Sequence, residues 1–542
     1  MKKIFLLLSV AASVSCLMTS CNDEFMDLSP KTAITDATFW KTDKDLQTYV
    51  NGLYREFGPG VYSSDDKSDN LIYKTKNKYL WNTNKIAASG GSFAKSNFEI
   101  RRNCNYFLTH FQTAVGDQEV INACEGSVRL VRVHDWFGKI VNFGDMPWYE
   151  KEVNVFDNDI LYGKRLPRKQ VVDIMIDELD KAIELLPETA EGEKFTKYVA
   201  LAEKARLALY EGTHRKYWQE GDAEEMLMKC KDACEKIMAS GKFDLHPDYR
   251  GYHLLNDMGT SKEAIYYKVM DGVNNSNGDP VSTYFQAYGI TQDLVESFVC
   301  SDGKPIGVSS LYKGDDTFDD MITDRDPRLT MLIYDGKRPF KLNAAGEGSY
   351  LDPVNWSSTD YGYLIWKVYS EKAVDNDANT CAIDKSIYRY GEILITYAEC
   401  MAELGLCTQE VLDKTVNALR KRAGLNAKLT VDVGFTDPNW PDFKAMNGVE
   451  VSPLLQEIRR ERRVELCLEN NHRWRDIVRW KAGQLVDNPK TYRGAKWYAK
   501  GETTYHAPYG TAVRKWNDRN YFLPIPKNQI TMNPDIEQNP GW

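Results

Sequence analysis

VVDIMIDELDKAIELL, residues 171–186, sets Val172, Met175, Leu179, Ile183 and Leu186 at intervals of three and four, with Pro167 before it and Pro187 after. That spacing draws the apolar side chains onto one face of an amphipathic helix, and the prolines bound it on either side. Reading outward, Lys197 to Tyr210 repeats the helical pattern. Its Ala202, Ala205 and Ala208 would let a neighbouring helix come close, and Gly212 is expected to end it. Glu224 to Ala239 makes a third helix, stopped at Ser240-Gly241. Three helices with short connections predict antiparallel neighbours, a helix-hairpin array with loosely tetratricopeptide-like spacing, although the repeat consensus is degenerate. Helical patterning returns in Tyr388 to Leu404, in Val411 to Ala423 closed by Gly424, and in Leu454 to Leu468. The expected class is mainly all-α.

The stretches between are of another kind. Helical scaffold is expected over about 37–57, 98–242 and 385–482, while 58–97, 243–384 and 483–542 are irregular, the first two rich in Gly, Asn, Asp and scattered aromatics. Irregular segments this long inside a compact protein are usually functional or disordered. Their aromatic content argues against disorder. By length, 542 residues admit several domains or one large helical one, and a single domain over 37–542 is the expectation.

The N-terminus carries an address. Lys2 and Lys3 precede an apolar run from Ile4 to Met18, then Thr19, Ser20 and Cys21. This is a signal peptide, 1–20, and no later segment approaches the roughly 20 apolar residues that a spanning helix needs. Met18-Thr19-Ser20-Cys21 resembles a bacterial lipobox, in which the cysteine is acylated; several acyl chains anchor stably where one alone binds only marginally. Residues 21–36 would then be the lipidated terminus and tether. The alternative is an ordinary signal peptide followed by a chance cysteine.

Composition excludes more than it assigns. A formal net charge of −9 argues against a nucleic-acid footprint. Nine of the 11 cysteines remain after Cys16 leaves with the signal and Cys21 is lipidated. An odd number argues against a complete disulfide framework, and Cys230 and Cys234 fall on the apolar stripe of their helix, as small buried residues do. No His-Glu-x-x-His, phosphate-cradling Gly loop, Gly-x-Ser-x-Gly elbow or Cys-x-x-Cys pair occurs. His110, His134 and His214 are dispersed on helical stretches. Arg459, Arg460, Arg462 and Arg463 interleave with Glu457, Glu461, Glu465 and Glu469, which reads as ion pairing rather than an anion site. No catalysis, cofactor or metal is expected.

Several separated motifs carry a resemblance. Ala37-Thr38-Phe39-Trp40-Lys41-Thr42, Asn142-Phe143-Gly144-Asp145-Met146-Pro147, Asp302-Gly303-Lys304 and Arg325-Asp326-Pro327-Arg328-Leu329 stand in one order with Tyr388 to Leu394, Val416 to Leu425 and Glu461 to Leu466. Leu523-Pro524-Ile525-Pro526 and the final Gln538-Asn539-Pro540-Gly541-Trp542 complete the series. From lipobox to last residue the chain resembles the SusD/RagB nutrient-binding outer-membrane lipoproteins. The resemblance implies a tetratricopeptide-like scaffold whose irregular segments form a ligand face, held at the outer membrane toward the cell exterior. It implies capture of oligosaccharide or polysaccharide for a SusC-type TonB-dependent transporter, without chemistry. A related branch captures peptides or glycopeptides, and that reading stays open beside it, as do a pure scaffold and a lipoprotein glycosidase.

A sugar site needs a flat apolar face for the pyranose ring and polar groups for its hydroxyls, which Trp and Tyr supply together. In the first irregular segment the candidates are Trp81 with Asn82 and Asn84, and nearby Tyr73, Asp65 and Asp66. The resemblance places a binding aromatic beside an Asn there, so Trp81 with Asn82 leads; the alternative is that Trp81 packs its loop onto the helices. The middle segment offers Tyr284, Tyr288, Tyr312, Trp356, Tyr361 and Tyr363, whereas Trp474 and Trp480 read as core. Changing Cys21 to Ser is expected to abolish incorporation of labelled palmitate by growing cells; undiminished label would contradict the lipobox reading.

Overall fold

The structure is a computed structural model that describes residues 39–542 apart from 94, 155, 344 and 378; Cys21, its leader and most of the tether lie outside the described residues. Thr42 opens the helical scaffold. Its hydroxyl accepts from the Asp45 amide while the Asp45 carboxylate accepts from the Thr42 amide, a reciprocal cap on α1 (Asp43–Tyr54). Next come α2 (Glu99–His110) and α3 (Gln118–Phe143), the latter capped by Asp117. The three patterned helices form as α4 (Arg168–Leu185), α5 (Lys197–Tyr217) and α6 (Ala223–Ala239). Each packs on its predecessor, α4 on α3, α5 on α4 and α6 on α5, around buried Trp136, Met175, Leu207 and Ile237.

Two helix ends depart from expectation. Gly212 does not stop α5, which continues to Tyr217. A glycine inside a helix costs about 1 kcal/mol relative to alanine, and here the reason for it is close approach: a Cβ at Gly212 would stand 2.8 Å from Leu227 Cγ of α6. The stretch from Val411 to Ala423 divides at Thr415 into two short helices.

Beyond α7 (Gln292–Ser297), helices α8 (Tyr390–Glu403), α9 (Gln409–Lys414), α10 (Val416–Arg422), α11 (Pro453–Leu466) and α12 (His472–Arg479) complete the scaffold. Short antiparallel ladders tie the irregular segments together: β1 (Leu71–Tyr73) with β3 (Tyr288–Ile290), and β2 (Ala264–Lys268) with β4 (Lys385–Arg389). Tyr388 and Arg389 thus belong to a strand, one residue ahead of α8. All nine cysteines of the described residues are free, with Cys230 and Cys234 buried on α6. No described helix is long and apolar enough to cross a membrane.

The Arg/Glu run on α11 is almost entirely buried, and it is structural. Glu465 pairs with Arg389 of β4, with Arg422 of α10 and with Arg328 of the middle segment. Glu461 pairs with Arg328 and Arg420, while Glu469 holds Arg389 and Lys367. Arg463 reaches the first irregular segment, donating to Asn70 Oδ1 at 2.9 Å and to the Asp69 carbonyl at 3.0 Å, and Arg473 makes a two-pronged contact with the Asp69 carboxylate, both at 2.7 Å. Such pairs are costly to desolvate, but removing one partner from a formed pair costs about 3–5 kcal/mol because a charge is then stranded. The helices therefore hold the irregular segments through charge as well as packing.

These contacts set the acid stability. Burial alone would raise the carboxyls of Glu399 and Glu469, but Arg479 and Arg462 beside the first, and Arg389 and Lys367 beside the second, outweigh it and hold both down to about 2. Below the ordinary 4.5 the unfolded chain takes up these protons before the folded one does. Their stabilisation is therefore complete above that pH and is lost progressively as pH falls toward 2. Asp65 runs the other way: burial raises it to about 6, so its share is full below 3.8 and gone above 6. Thermal melts from pH 6 to pH 2 are expected to show Tm falling below about pH 4.5; a Tm unchanged down to pH 3 would contradict the network's role.

Candidate functional site

Two loops laid side by side build a concave groove. In the first, the Asn355 amide donates to the Gly362 carbonyl at 3.0 Å, and Asn355 Oδ1 accepts from the amides of Ser357 and Ser358. This folds residues 354–363 back on themselves with Trp356 and Tyr361 on the turn. Gly362 has φ of +90°, and a Cβ there would meet Ala495 at 2.6 Å, so the turn admits only glycine comfortably. In the second, the Gly494 amide donates to His506 and the His506 amide to Ala495, both at 2.9 Å, making a hairpin over 494–506. Lys496 and the Tyr505 hydroxyl both anchor this hairpin to Asp315. The loops are joined where the Ala495 amide donates to Tyr361 O at 2.8 Å.

The groove so formed has a volume of about 310 Å³ and is lined by Lys74, Trp356, Asp360, Tyr361, Trp497 and His506, with Pro508. The indoles of Trp356 and Trp497 stack with centroids 4.9 Å apart and planes 24° from parallel, and the His506 ring meets Trp356 edge-on at 4.9 Å. Lys500 Nζ lies 3.4 Å from the Trp497 centroid; an exposed cation–π contact is worth only about 0.5–1 kcal/mol, so a ligand can displace it. Burial lowers the His506 pKa despite Asp360 and Glu502, leaving the ring uncharged at neutral pH. Burial likewise raises the Tyr361 phenol, which stays protonated as a donor.

Two polar atoms at this groove lack partners: among the described residues neither Tyr361 Oη nor Trp356 Nε1 makes a hydrogen bond. A buried polar group left unpaired costs about 1–3 kcal/mol. Both atoms are buried, and what the groove presents is an apolar plate with Asp360 and Lys74 exposed at the rim, one charge of each sign. It is suited to binding a flat molecule that carries hydroxyls. It contains no nucleophile paired with a base.

The SusD family model matches residues 254–542. The chain belongs to the SusD family. A SusD-like protein P2 of Formosa agariphila is 22% identical over 97% of each chain, and a SusD-like protein of Bacteroides ovatus is 22% identical over 98% of this chain and 97% of that one. Among solved structures, a SusD-like carbohydrate binding protein from Bacteroides fragilis superposes with a TM-score of 0.71 at 22% identity, covering 92% of this chain and all of that one. A surface glycan-binding protein A from Bacteroides thetaiotaomicron, solved in complex with laminarihexaose, gives 0.61 at 18% identity, with 92% of this chain and all of that one covered.

In this SusD-family chain the sequence-derived candidates separate. Trp356 and Tyr361 meet in the groove. Tyr73 and Tyr288 stack across the β1–β3 ladder at 4.7 Å, and Gly289 between Tyr288 and Ile290 receives Tyr361: a Cβ at Gly289 would fall 2.2 Å from Tyr361 Cβ. Trp81 is half-buried, edge-on to Tyr492 and Tyr509, with Lys76 over its ring at 4.5 Å. The recess it shares with Tyr73 and Asp66 is only about 10 Å³, room for about one water and not a pyranose.

Six of the candidates lie apart from the groove. Asp65 is buried, its carboxylate accepting from Asn70 Nδ2 and the Leu468 amide at 2.9 Å each. Asn82 takes a positive φ of 54° and spends its amide on Lys515 O and Asn520, pinning the loop to the C-terminal segment. Asn84 is buried away from the groove, and Tyr363 lies wholly in the core with its hydroxyl 3.3 Å from Met321 Sδ. Tyr284 stacks in parallel with Tyr369 in a separate cluster around Trp366. Tyr312 sits beneath Arg325, outside the groove. Trp497, His506 and Lys74 complete the groove beyond the sequence candidates; for the first two the signal is the aromatic-rich GAKWYAKGETTYHAPYG of residues 494–510.

Proposed function

We propose that this SusD-family chain is a surface lipoprotein that captures glycan and delivers it to a SusC-type TonB-dependent transporter, without catalysing a reaction. The Cys21 lipobox supplies the anchor to the outer membrane and the groove supplies the ligand site. The observation that carries the reading is the stacked Trp356–Trp497 pair lining the groove, with exposed Asp360 and Lys74 at its rim. A pyranose presents an apolar C–H face for the indoles and hydroxyls for the two rim charges, so one ligand class answers both features. The relative solved with laminarihexaose lends the same direction. In this reading Trp356 and Trp497 form the platform, Asp360 and Lys74 take the hydroxyls, and Tyr361, Tyr73, Tyr288 and Trp81 buttress the groove from behind.

Calorimetric titration against a polysaccharide panel is expected to find a ligand that is bound and recovered uncleaved. Its affinity should fall at least about tenfold, ~1.4 kcal/mol, in Trp356→Ala, and less in Trp81→Ala. Unchanged affinity in a folded Trp356→Ala variant would remove the groove from the account. Binding of peptide mixtures with no response to polysaccharides would replace glycan capture with peptide capture.

A further inference from the structure

A second recess, of about 330 Å³, shares no residue with the aromatic groove. Small-molecule sites usually run from about 300 to 1,000 Å³, so it is large enough to hold a ligand. It is bounded by α11, which contributes Gln456 and Arg460, by the loop that carries Asp437 and Trp440, and by the segment 484–490.

The loop wall is fixed from within the protein. Asp437 accepts from the Asn439 amide at 2.9 Å and from Arg460 Nη2 at 2.5 Å, and Gln456 Nε2 donates to the Pro441 carbonyl at 3.0 Å. Trp440 Nε1 donates to buried Glu457 at 2.7 Å. Phe435, which does not line the recess, packs on the Trp440 ring with centroids 6.0 Å apart. The indole is thereby clamped half-buried at the wall, with part of its surface open to the recess.

The charges lining the recess are already spent on protein partners. Asp69 pairs with Arg473, Asp293 with Arg463, Glu296 with Lys490, Asp437 with Arg460, and Arg459 with Glu403. An ionic ligand finds no free counter-charge, and taking one would break a pair whose members are largely buried. The accessible polar groups are uncharged amides. Gln484 and Asn488 are both exposed. Among the described residues the Gln484 side chain makes no hydrogen bond, and Asn488 uses only its Oδ1, which accepts from the Lys490 amide at 3.1 Å.

We propose that this recess is a second carbohydrate site, for an uncharged pyranose. The C–H face of the ring lies against the Trp440 indole, and its hydroxyls exchange hydrogen bonds with the amides of Gln484 and Asn488. A carboxylated or sulfated sugar gains nothing from the paired charges, and a purely apolar ligand would cover the amides without pairing them. The site stands apart from the groove, so either reading survives the failure of the other.

Trp356→Ala, which impairs the groove, is the background for the test. Calorimetric titration of that variant with malto-, cello-, laminari-, xylo- and mannohexaose should find at least one that binds with a Kd in the millimolar range or tighter, and hexagalacturonate should bind at least about tenfold more weakly. Adding Trp440→Ala should weaken the neutral ligand about tenfold or more. Gln484→Ala, at an exposed side chain with no protein hydrogen bond to lose, should weaken it about threefold without risk to folding. If the parent binds a hexasaccharide and Trp356→Ala binds none, the proposal is overturned and the groove stands; if neither binds any, both fall. Hexagalacturonate bound as tightly as the neutral ligand, or affinity indifferent to Trp440→Ala or to Gln484→Ala, would also overturn it.

Discussion

The contact on which the rest depends is the threefold engagement of Glu465 by Arg328, Arg389 and Arg422. Each arginine comes from a different part of the chain, so one carboxylate fixes α11 against the middle irregular segment, a strand and a helix. Its neighbours Glu461, Arg463 and Glu469 extend the same device to Arg420, Asp69 and Lys367. A long loop usually runs over a surface with little to hold it. Here loops are tied to helices by buried pairs, each of which would strand a charge if broken, and this gives irregular backbone the rigidity that a preformed groove requires.

That rigidity explains why unsatisfied groups can persist at the groove. Tyr361 is fixed from three sides: its carbonyl accepts from Ala495, its Cβ abuts Gly289, and Gly362 turns the chain behind it. With the backbone so constrained, its hydroxyl cannot swing to a protein partner, and the cost of leaving it unpaired is offset by the surrounding fold. The same logic holds at Arg459, where three rings enclose the guanidinium and only part of its hydrogen-bonding capacity is met.

Local periodicity made the scaffold readable and long-range pairing hid the site. Residues 171–186 encode a helix in their own spacing, and α4 runs over nearly the same residues. Gly212 reads as a helix end in the sequence but lies inside α5, because a glycine signals either an end or a close approach, and only the position of Leu227 decides which. Trp356 and Tyr361 stood out as aromatics in an irregular segment, but Trp497 and His506 join them through a hairpin more than a hundred residues later, which no spacing predicts. Asp65 beside aromatics reads alike whether it meets solvent or accepts from the Leu468 amide, and Tyr363 is told from Tyr361 only by burial. The Arg/Glu run was legible as ion pairing because alternating charge on one helix must be neutralised somewhere, though its partners were not.

The most direct measurement is a crystal structure of the protein with an oligosaccharide from whichever polysaccharide it binds. The account predicts a sugar ring against the Trp356–Trp497 pair, with hydroxyls within hydrogen-bond distance of Asp360 or Lys74. An oligosaccharide bound elsewhere, with the two indoles untouched, would contradict it.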